Sequence, residues 1–212
     1  LDKLIKPGDT TTNPTEDVDF YDTEKPFRVL IKQRETAGSS SVRPVQRFID
    51  GLGRLIQEKT ENINVTSSAG QNIVTDTRYN GLGQVAQSAQ PRYVNETSST
   101  TFYKYTPIPG SGVNWTVATY DLLQRPLTVT TPDSQVTTTS YAVVAGSLFG
   151  ASEIIDANGH KTRHLSDSLG RLRAVEEYSG VSGSWALYAT TTYAYDGLDR
   201  LTTATDQKGN IT

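Results

Sequence analysis

The chain has 212 residues, of which 35% are apolar, and its 20 basic and 23 acidic residues give a net charge of −3. This balance lacks the basic footprint of a nucleic-acid-binding protein, and no apolar run approaches the ~20 residues that a membrane helix needs. Cysteine is absent, which excludes disulfides, thiolate nucleophiles and cysteine–zinc sites. Methionine is also absent and position 1 is Leu1, so we expect a piece of a longer chain.

The first 46 residues lack the repeats that follow. Residues 1–19 combine turn-forming residues, threonines and charges with little to bury, which predicts a linker. Residues 20–46 predict a leading β-hairpin, whose first strand is at 27–32 and whose loop is the glycine- and serine-rich stretch 37–41. Its second strand starts at Val42 and leads into a repeat region that we place at 47–212.

Abundant threonine and frequent turn residues predict an all-β fold for the repeat region. The segment 54–62 has the propensity of a short helix, but we assign a strand because equivalent segments are rich in threonine. The insertion 88–114 combines a proline- and glycine-rich loop with a predicted strand at 101–105. The other predicted strands are 73–79, 115–120, 127–131, 136–143, 185–195 and 201–205.

The stretch 193–212 shows most clearly what the chain repeats. Two tyrosines alternate with a small residue and predict a strand, which Asp196 and Gly197 then break. Aspartate can hydrogen-bond its own downstream backbone and glycine accepts a positive φ, so this pair favours a tight turn. A threonine-rich returning strand at 201–205 precedes a second turn, which begins at Asp206. One unit is therefore a hairpin that leads into the next hairpin.

The same turn recurs in register along the chain. The second turn recurs at 132–134 and 156–159, with a weaker copy predicted at 68–70, and a worn copy of the first turn is predicted at 145–150. A fixed turn with spacers of variable length is typical of tandem supersecondary units with loop insertions. The residues predicted to form the repeated turns are Asp50, Gly51, Gly53, Asn80, Gly81, Gly83, Asp121, Asp156, Gly159, Asp167, Gly170, Asp196, Gly197, Asp206 and Gly209.

The motif YDGLDRL at 195–201, with Asp206, Gly209 and Thr212 behind it, resembles the YD repeats of the RHS protein family. The resemblance covers about residues 47–212, and several copies in register make it more specific than a single motif. In this family the strands spiral into hollow shells, which occur in bacterial polymorphic toxins, insecticidal toxin complexes and teneurins. The resemblance therefore implies tandem antiparallel hairpins that form a curved or spiralling sheet.

The resemblance also implies a function. We expect a non-enzymatic structural segment of a secreted or cell-surface shell, which encloses a C-terminal cargo or toxin polypeptide or builds a surface assembly. The expected partners are further repeats of the parent chain or other copies joined through sheet edges, and an enclosed polypeptide. We expect no cofactor, no nucleic acid and no membrane span. The alternative is an adhesin-like module that binds carbohydrate or a partner protein through 88–114 and exposed aromatic residues.

Two kinds of residue are candidates for chemistry. The histidines His160 and His164 have the spacing of a metal pair on a helix, but we expect them on a strand, where four residues span roughly 13 Å. The repeated acids are candidate catalytic carboxylates or calcium ligands. One acid per unit spreads along a sheet instead of converging on one bond or one ion, so we assign the acids to turn formation. We assign no catalytic, cofactor-binding or metal-binding residue.

Arginine recurs four residues after the turn acid. We expect each arginine to pair with an acid or a carbonyl in a neighbouring unit and so to form a ladder. The alternative is a solvated face, where such pairs contribute little. The aromatic residues predict cross-strand packing rather than a sugar-stacking surface. The recurring arginines are Arg54, Arg125, Arg171 and Arg200.

Overall fold

The structure of the protein is a computed structural model that describes residues 3–37, 39, 42–61, 71–95, 102–144 and 150–212. These residues form sixteen β-strands, and every pairing between them is antiparallel. The predicted all-β class, built from successive antiparallel hairpins, is confirmed. The chain divides into two compact units, Leu1–Thr116 and Val117–Thr212, where the sequence predicted one continuous repeat region.

In the first unit, the strands pair in chain order from the first to the sixth. The sixth strand then pairs with both the seventh and the eighth, each along a different part of its length. The strands are β1 (Lys3–Leu4), β2 (Glu16–Tyr21), β3 (Phe27–Arg34), β4 (Val42–Ile49), β5 (Leu55–Glu61), β6 (Gln71–Tyr79), β7 (Val85–Ala89) and β8 (Arg92–Asn95).

In the second unit, each strand again pairs with the next one in the chain. Its first strand begins in the last two residues of the first unit. The strands are β9 (Trp115–Tyr120), β10 (Pro126–Thr130), β11 (Val136–Val143), β12 (Gly150–Ile155), β13 (Lys161–Ser166), β14 (Leu172–Ser179), β15 (Ala186–Tyr195) and β16 (Leu201–Thr205).

The structure corrects the predicted N-terminal organisation. The linker predicted at 1–19 is too long, because β1 lies within it and β2 begins at Glu16. β2 mixes acidic and apolar residues, and two of its acids have partners on β3: Lys32 Nζ lies 2.8 Å from Asp19 Oδ2, and Gln33 Nε2 donates to Oε2 of Glu16 at 3.2 Å. Its charge, which suggested a solvated linker, thus belongs to a paired strand. The predicted leading hairpin is observed as β3 and β4.

The insertion also differs from the prediction. β7 runs into 88–114 and β8 lies within it, whereas the strand predicted at 101–105 is wrong. The described part, 102–105, is a turn followed by irregular chain. Its aromatic residues have strand propensity, but packing of the Tyr105 ring edge-on against Phe48 overrides it. The turn copies predicted at 68–70 and 145–149, and part of the loop at 37–41, lie outside the described residues.

The core of the first unit lies on one face of β3–β6 and mixes apolar with polar side chains. Leu30, Phe48 and Val74 are buried there, and cross-strand register places Gln46 and Lys59 on the same face. Among the described residues of the second unit, the buried apolar side chains are both alanines. The two units therefore bury very different amounts of their sheets. In the described part of the chain there is no helix of the length and apolarity needed to cross a membrane.

Candidate functional site

The repeated turn is a hydrogen-bonded cage around one carboxylate, as the turn at 196–200 shows. Oδ1 of Asp196 accepts the main-chain N–H groups of Leu198 at 2.9 Å and Arg200 at 3.0 Å. Oδ2 accepts Nε of Arg200 at 2.7 Å. The main chain closes the turn, because the N–H of Asp196 donates to the carbonyl of Arg200 and the N–H of Asp199 donates to the carbonyl of Asp196. The first and fifth residues of the turn thus satisfy each other's hydrogen-bonding groups.

The same cage recurs in both units. Its fourth residue has a positive φ in every copy, which explains why glycine is common there. The exceptions among the cages are Gln124 at φ 66° and Asp199 at φ 61°. A one-residue register shift accompanies several of the turns, as expected for a three-residue hairpin loop with a bulge. The glycines with positive φ are Gly53, Gly83, Gly159, Gly170 and Gly209, and the other copies begin at Asp50, Asn80, Asp121, Asp156, Asp167 and Asp206.

Glycine at the second turn position plays a different part. Gly51, Gly81 and Gly197 have no positive φ, and a Cβ added to any of them would meet no other atom within 4 Å. This position holds leucine or serine in other copies without changing the turn. Backbone conformation therefore favours glycine at the fourth position and not at the second, although Gln124 and Asp199 adopt the same positive φ.

The cage lowers the pKa of the turn acids. At Asp50, Asp121 and Asp196, the largest cause is the hydrogen bond that the carboxylate accepts from the main-chain N–H of the arginine four residues later. At Asp156, the largest cause is the side chain of His160. The lowered pKa keeps these carboxylates charged, which suits a structural acceptor and not a general acid.

The arginines pair mainly within their own turns. Arg54 Nη2 lies 2.7 Å from Asp50 Oδ2, and the other three arginines meet their own turn acids at similar distances. Within the described residues, the one arginine of the four that also pairs with an acid of the neighbouring turn is Arg171, whose Nη1 lies 2.6 Å from Asp199 Oδ1. The predicted acid–arginine ladder is therefore wrong as a general rule, because the turn brings its fifth side chain back over its first.

Hairpins are joined by arginine and tyrosine instead. In three copies the guanidinium lies over a tyrosine ring, and the tyrosine hydroxyl donates to the carbonyl of the residue after the arginine. The strand that starts beside the arginine pairs with the strand that carries the tyrosine. We call this arrangement the arginine–tyrosine clasp; the pairs are Arg54 with Tyr79, Arg125 with Tyr141 and Arg171 with Tyr195.

The clasp was not predicted, although the sequence contains a signal for it. Tyr79 and Tyr195 come immediately before a turn residue, where the repeat places its aromatic position. The ring centroids lie 4.5 Å and 5.3 Å from the guanidinium carbons of Arg54 and Arg171. The contact links two recurring residue types that are 25 or 24 positions apart (79−54 and 195−171).

Turns at the two ends of the strands differ in their fifth residue. Successive strands run in opposite directions, so in the second unit the turns that begin at 121, 167 and 196 share one end. Those that begin at 131, 156 and 206 share the other, together with a turn of a different kind in which the N–H of Ser184 donates to the carbonyl of Val181. The fifth residue is arginine at the first end, and at the second end it is Gln135, His160 or Asn210. We call these the arginine end and the amide end.

The histidines do not form a pair. His160 lies in the turn and not on the predicted strand, with Nδ1 2.9 Å from Oδ2 of Asp156. His164 lies on β13, opposite Ser152 on one side and Val175 on the other. His160 therefore does in its turn what arginine does at the arginine end.

The first unit contains a second distinctive site, where the segment 102–106 covers the face of β4–β6. Nε2 of the buried Gln57 donates to the carbonyl of Thr106 at 2.8 Å, and Oε1 accepts the N–H of Thr106 at 2.9 Å. Nζ of the buried Lys59 donates to the carbonyl of Lys104 at 2.8 Å. Two side chains of the sheet thus recognise main-chain groups of alternate residues. We call 102–106 the covering segment.

Charged groups beneath the covering segment are paired. Asp76 is completely buried and accepts Nε2 of Gln57 at 2.6 Å and Nη2 of Arg92 at 2.8 Å. Nη1 of Arg28, also buried, donates to Oε1 of Gln46 at 3.1 Å. Nε2 of that buried Gln46 has no partner among the described residues. The covered face is therefore largely polar and almost fully hydrogen-bonded.

A cavity of about 530 Å³ adjoins the covering segment. Tyr103 and Tyr105 form one wall, and Phe48 and Arg28 form another. The guanidinium carbon of Arg28 lies 3.5 Å from the ring centroid of Tyr21, and Glu24 binds the same guanidinium through two nitrogens. The cavity thus combines aromatic surface with fixed polar groups.

The comparisons with known proteins assign no family. No protein-family model matches the sequence, and no curated protein matches it. Across the ranges that the structure describes, no group of three or more histidine, aspartate or glutamate side chains is placed to hold a metal ion. The function is therefore inferred from the turns, the clasps and the covered face.

Proposed function

We propose that this chain is a non-enzymatic structural segment of a secreted or cell-surface shell of the RHS/YD-repeat type. The observation that supports this proposal most directly is the arginine–tyrosine clasp, which fastens one hairpin to the next. The repeated acid, arginine and tyrosine hydrogen-bond to one another and to the main chain. Residues that satisfy one another in this way build a wall and are not free to act on a substrate.

The same design allows the wall to be extended. Each further repeat adds a hairpin beside the previous one, so the sheet can be lengthened without a new core. β16 pairs with β15 on one side, and in the described chain its other side bonds only near Thr205 and Ala204. A partly unpaired strand is a template for another strand. The proposed partners are further repeats or another copy at this edge, and a polypeptide cargo enclosed by the wall.

Electron microscopy of the purified protein, with mass from light scattering, tests the proposal. A shell or surface wall predicts hollow ovoids or regular polymers under native conditions. Discrete small monomers that bind no strand at β16 would refute it. The N–H of Ala204 faces away from β15, because it donates to the carbonyl of Thr212. A variant with Ala204→Pro removes this donor from the outer side of β16, and we expect it to reduce any strand-mediated assembly.

A carbohydrate-binding module is the second candidate, and the cavity beside the covering segment favours it. Tyr103, Lys104 and Tyr105 of the predicted insertion line this cavity. The tryptophans support it less, because Trp185 donates to the carbonyl of Gly159 and Trp115 packs under Arg78. A glycan panel tests this candidate.

The matched pair for that panel is Tyr103→Ala and Tyr188→Ala. Tyr103 lines the cavity, whereas Tyr188 is an exposed tyrosine of the second unit. Binding that Tyr103→Ala abolishes and Tyr188→Ala preserves would support the module. Binding to no glycan, or equal loss in both variants, would reject it.

A further inference from the structure

The cavity beside the covering segment differs from a cavity of similar size in the second unit in how its polar side chains are used. The cavity of the second unit, of about 580 Å³, adjoins the clasp of Arg125 and Tyr141. There Arg125 is paired with Asp121, and the Tyr141 hydroxyl donates to the carbonyl of Pro126 at 3.1 Å. The charged and aromatic side chains of that cavity are therefore already engaged in holding the hairpins together.

Four side chains that line the cavity beside the covering segment have polar ends without such a role. Tyr103 and Tyr105 contribute two hydroxyls, and Lys25 and Lys104 contribute two ammonium groups. Within the part of the chain that the structure describes, none of these four groups makes a hydrogen bond or an ion pair. Burial raises the pKa of the Tyr105 hydroxyl, which therefore stays protonated and can donate a hydrogen bond. All four groups are available to a ligand.

The tyrosine rings add flat apolar surface beside these polar groups. The Tyr105 ring meets Phe48 at 80° between the ring planes, and the Tyr103 ring meets Phe102 at 82°. The two tyrosines thus form walls and are not stacked face to face on their aromatic neighbours. The volume of about 530 Å³ lies within the ~300–1,000 Å³ that is usual for small-ligand sites.

The lining of this cavity carries an excess of positive charge, although the whole chain has a net charge of −3. Glu24 binds Arg28 through two nitrogens, so these two charges cancel. Lys25 and Lys104 are exposed and leave an excess of two positive charges. Asp22 of the same β2–β3 connection lies outside the lining, and counting it still leaves an excess of one. The cavity therefore attracts a negatively charged ligand.

We propose that this cavity binds an oligosaccharide whose sugar rings carry negative charge. The inference rests on the second candidate function, carbohydrate binding, and not on the proposed shell. A charged sugar ring combines an apolar side for the tyrosine rings, hydroxyls for the phenol groups, and a carboxylate or sulfate for the lysines. An aspartate or glutamate side chain of a peptide lacks the first two features, and a neutral sugar lacks the third.

Three trisaccharides with the same linkage test the choice of ligand by isothermal titration calorimetry. They are a neutral glucose trisaccharide, its form with a carboxylate at each C6, and its form with a sulfate at each C6. We expect a charged form to bind about tenfold more tightly than the neutral form at low salt, from two exposed ion pairs. This advantage should shrink at high salt, because exposed charges are screened. Comparison of the two charged forms identifies the preferred anion.

Substitutions that reverse the charge test the site itself. The double change Lys25→Glu with Lys104→Glu should remove the preference for the charged forms and leave binding of the neutral form unchanged. The matched control is Lys6→Glu with Lys208→Glu, which alters the net charge equally at two exposed lysines outside the lining and should leave all binding unchanged. Tyr105→Phe keeps the ring, and we expect it to weaken all binding about two- to tenfold because it removes one hydroxyl.

The outcomes separate this inference from the function on which it rests. Equal binding of the neutral and charged trisaccharides would overturn the inference and leave the carbohydrate-binding module supported. Binding of none of the three would reject both. Equally tight binding of a glutamate tripeptide would show that the cavity recognises charge alone, which also overturns the inference. Circular dichroism of each variant confirms that the fold is intact.

Discussion

Gln46 and Lys59 face each other across β4 and β5 of the first unit and are completely buried. The pair at the equivalent repeat positions of the second unit, Arg163 and Glu176, keeps 24% and 17% of its side-chain surface exposed. Both pairs lie four residues before and nine residues after a turn acid. The register therefore determines which side chains lie on this face of the sheet. The covering segment, which is hydrogen-bonded to Lys59, determines how deeply that face is buried.

This difference has an energetic consequence. In the first unit polar side chains are buried, so each needs a hydrogen-bonding partner. Removing one side chain therefore leaves another buried without its hydrogen bond. In the second unit the equivalent groups reach solvent, where water replaces a lost partner and the ion pairs contribute little. Substitutions at equivalent positions should therefore have unequal effects on stability.

The largest expected effect is that of Asp76→Ala. This change removes the buried acceptor that Gln57 and Arg92 share. Gln57 keeps its hydrogen bonds to Thr106, whereas Arg92 loses its ion pair. Breaking a buried charged pair costs about 3–5 kcal/mol. We expect a loss of this size in the free energy of unfolding of the first unit, measured by urea denaturation.

Its matched control is Glu176→Ala in the second unit. Glu176 also pairs with an arginine, but the pair is partly exposed and the Nη1–Oε2 distance is 3.5 Å. We expect a loss below about 1 kcal/mol. Equal losses in the two variants would contradict the view that the covering segment makes the two units different.

The next largest expected effect on stability comes from comparing glycines at the fourth and second positions of the repeated turn. Gly170 has a φ of 79°, whereas Gly197 has no positive φ, and neither has an atom within 4 Å of an added Cβ. We expect Gly170→Ala to lower the free energy of unfolding by about 1–2 kcal/mol, because only backbone conformation opposes it. Gly197→Ala should be neutral or slightly stabilising. Thermal denaturation of the two variants distinguishes them, and equal melting temperatures would show that the fourth turn position tolerates any residue.

A smaller effect is expected from the clasp. Tyr195→Phe removes the hydroxyl that donates to the carbonyl of Leu172 at 3.0 Å but keeps the ring beside Arg171. We expect a loss of about 0.5–1.5 kcal/mol, the usual net contribution of one hydrogen bond. Tyr188→Phe at an exposed tyrosine is the control. Comparable losses in both variants would mean that the clasp hydroxyl does not stabilise the sheet.

The sequence predicted the turns and most strands because both depend on local chemistry. An aspartate followed by glycine or another small residue specifies a turn, and threonine-rich flanks specify strands. The covering segment was mistaken for a strand, because its aromatic residues fit strand propensity and only contact with Phe48, Gln57 and Lys59 opposes it. The tyrosine partner of each arginine was missed for a similar reason. Whether a guanidinium contacts the acid of its own turn or a distant tyrosine depends on how the hairpin folds back.

The last prediction uses a turn that the chain already contains in neutral form. Asn80 Oδ1 accepts the N–H groups of Leu82 and Gln84 at 3.0 Å each, and its Nδ2 donates to Oε1 of Gln84. The first unit thus forms the same cage without a charge. The double change Asp196→Asn with Arg200→Gln copies this neutral pair into the second unit.

The double variant should be less sensitive to acid than the wild type. The cage lowers the folded pKa of Asp196, chiefly through the N–H of Arg200, below the ~3.9 of an unfolded aspartate. Its contribution to stability is therefore complete above the unfolded pKa and is lost as the pH falls through the folded pKa. We expect wild type and variant to unfold with different pH dependence below about pH 4 and with parallel dependence at neutral pH. Identical acid unfolding curves would show that the charged form of the cage contributes nothing that the amide form does not.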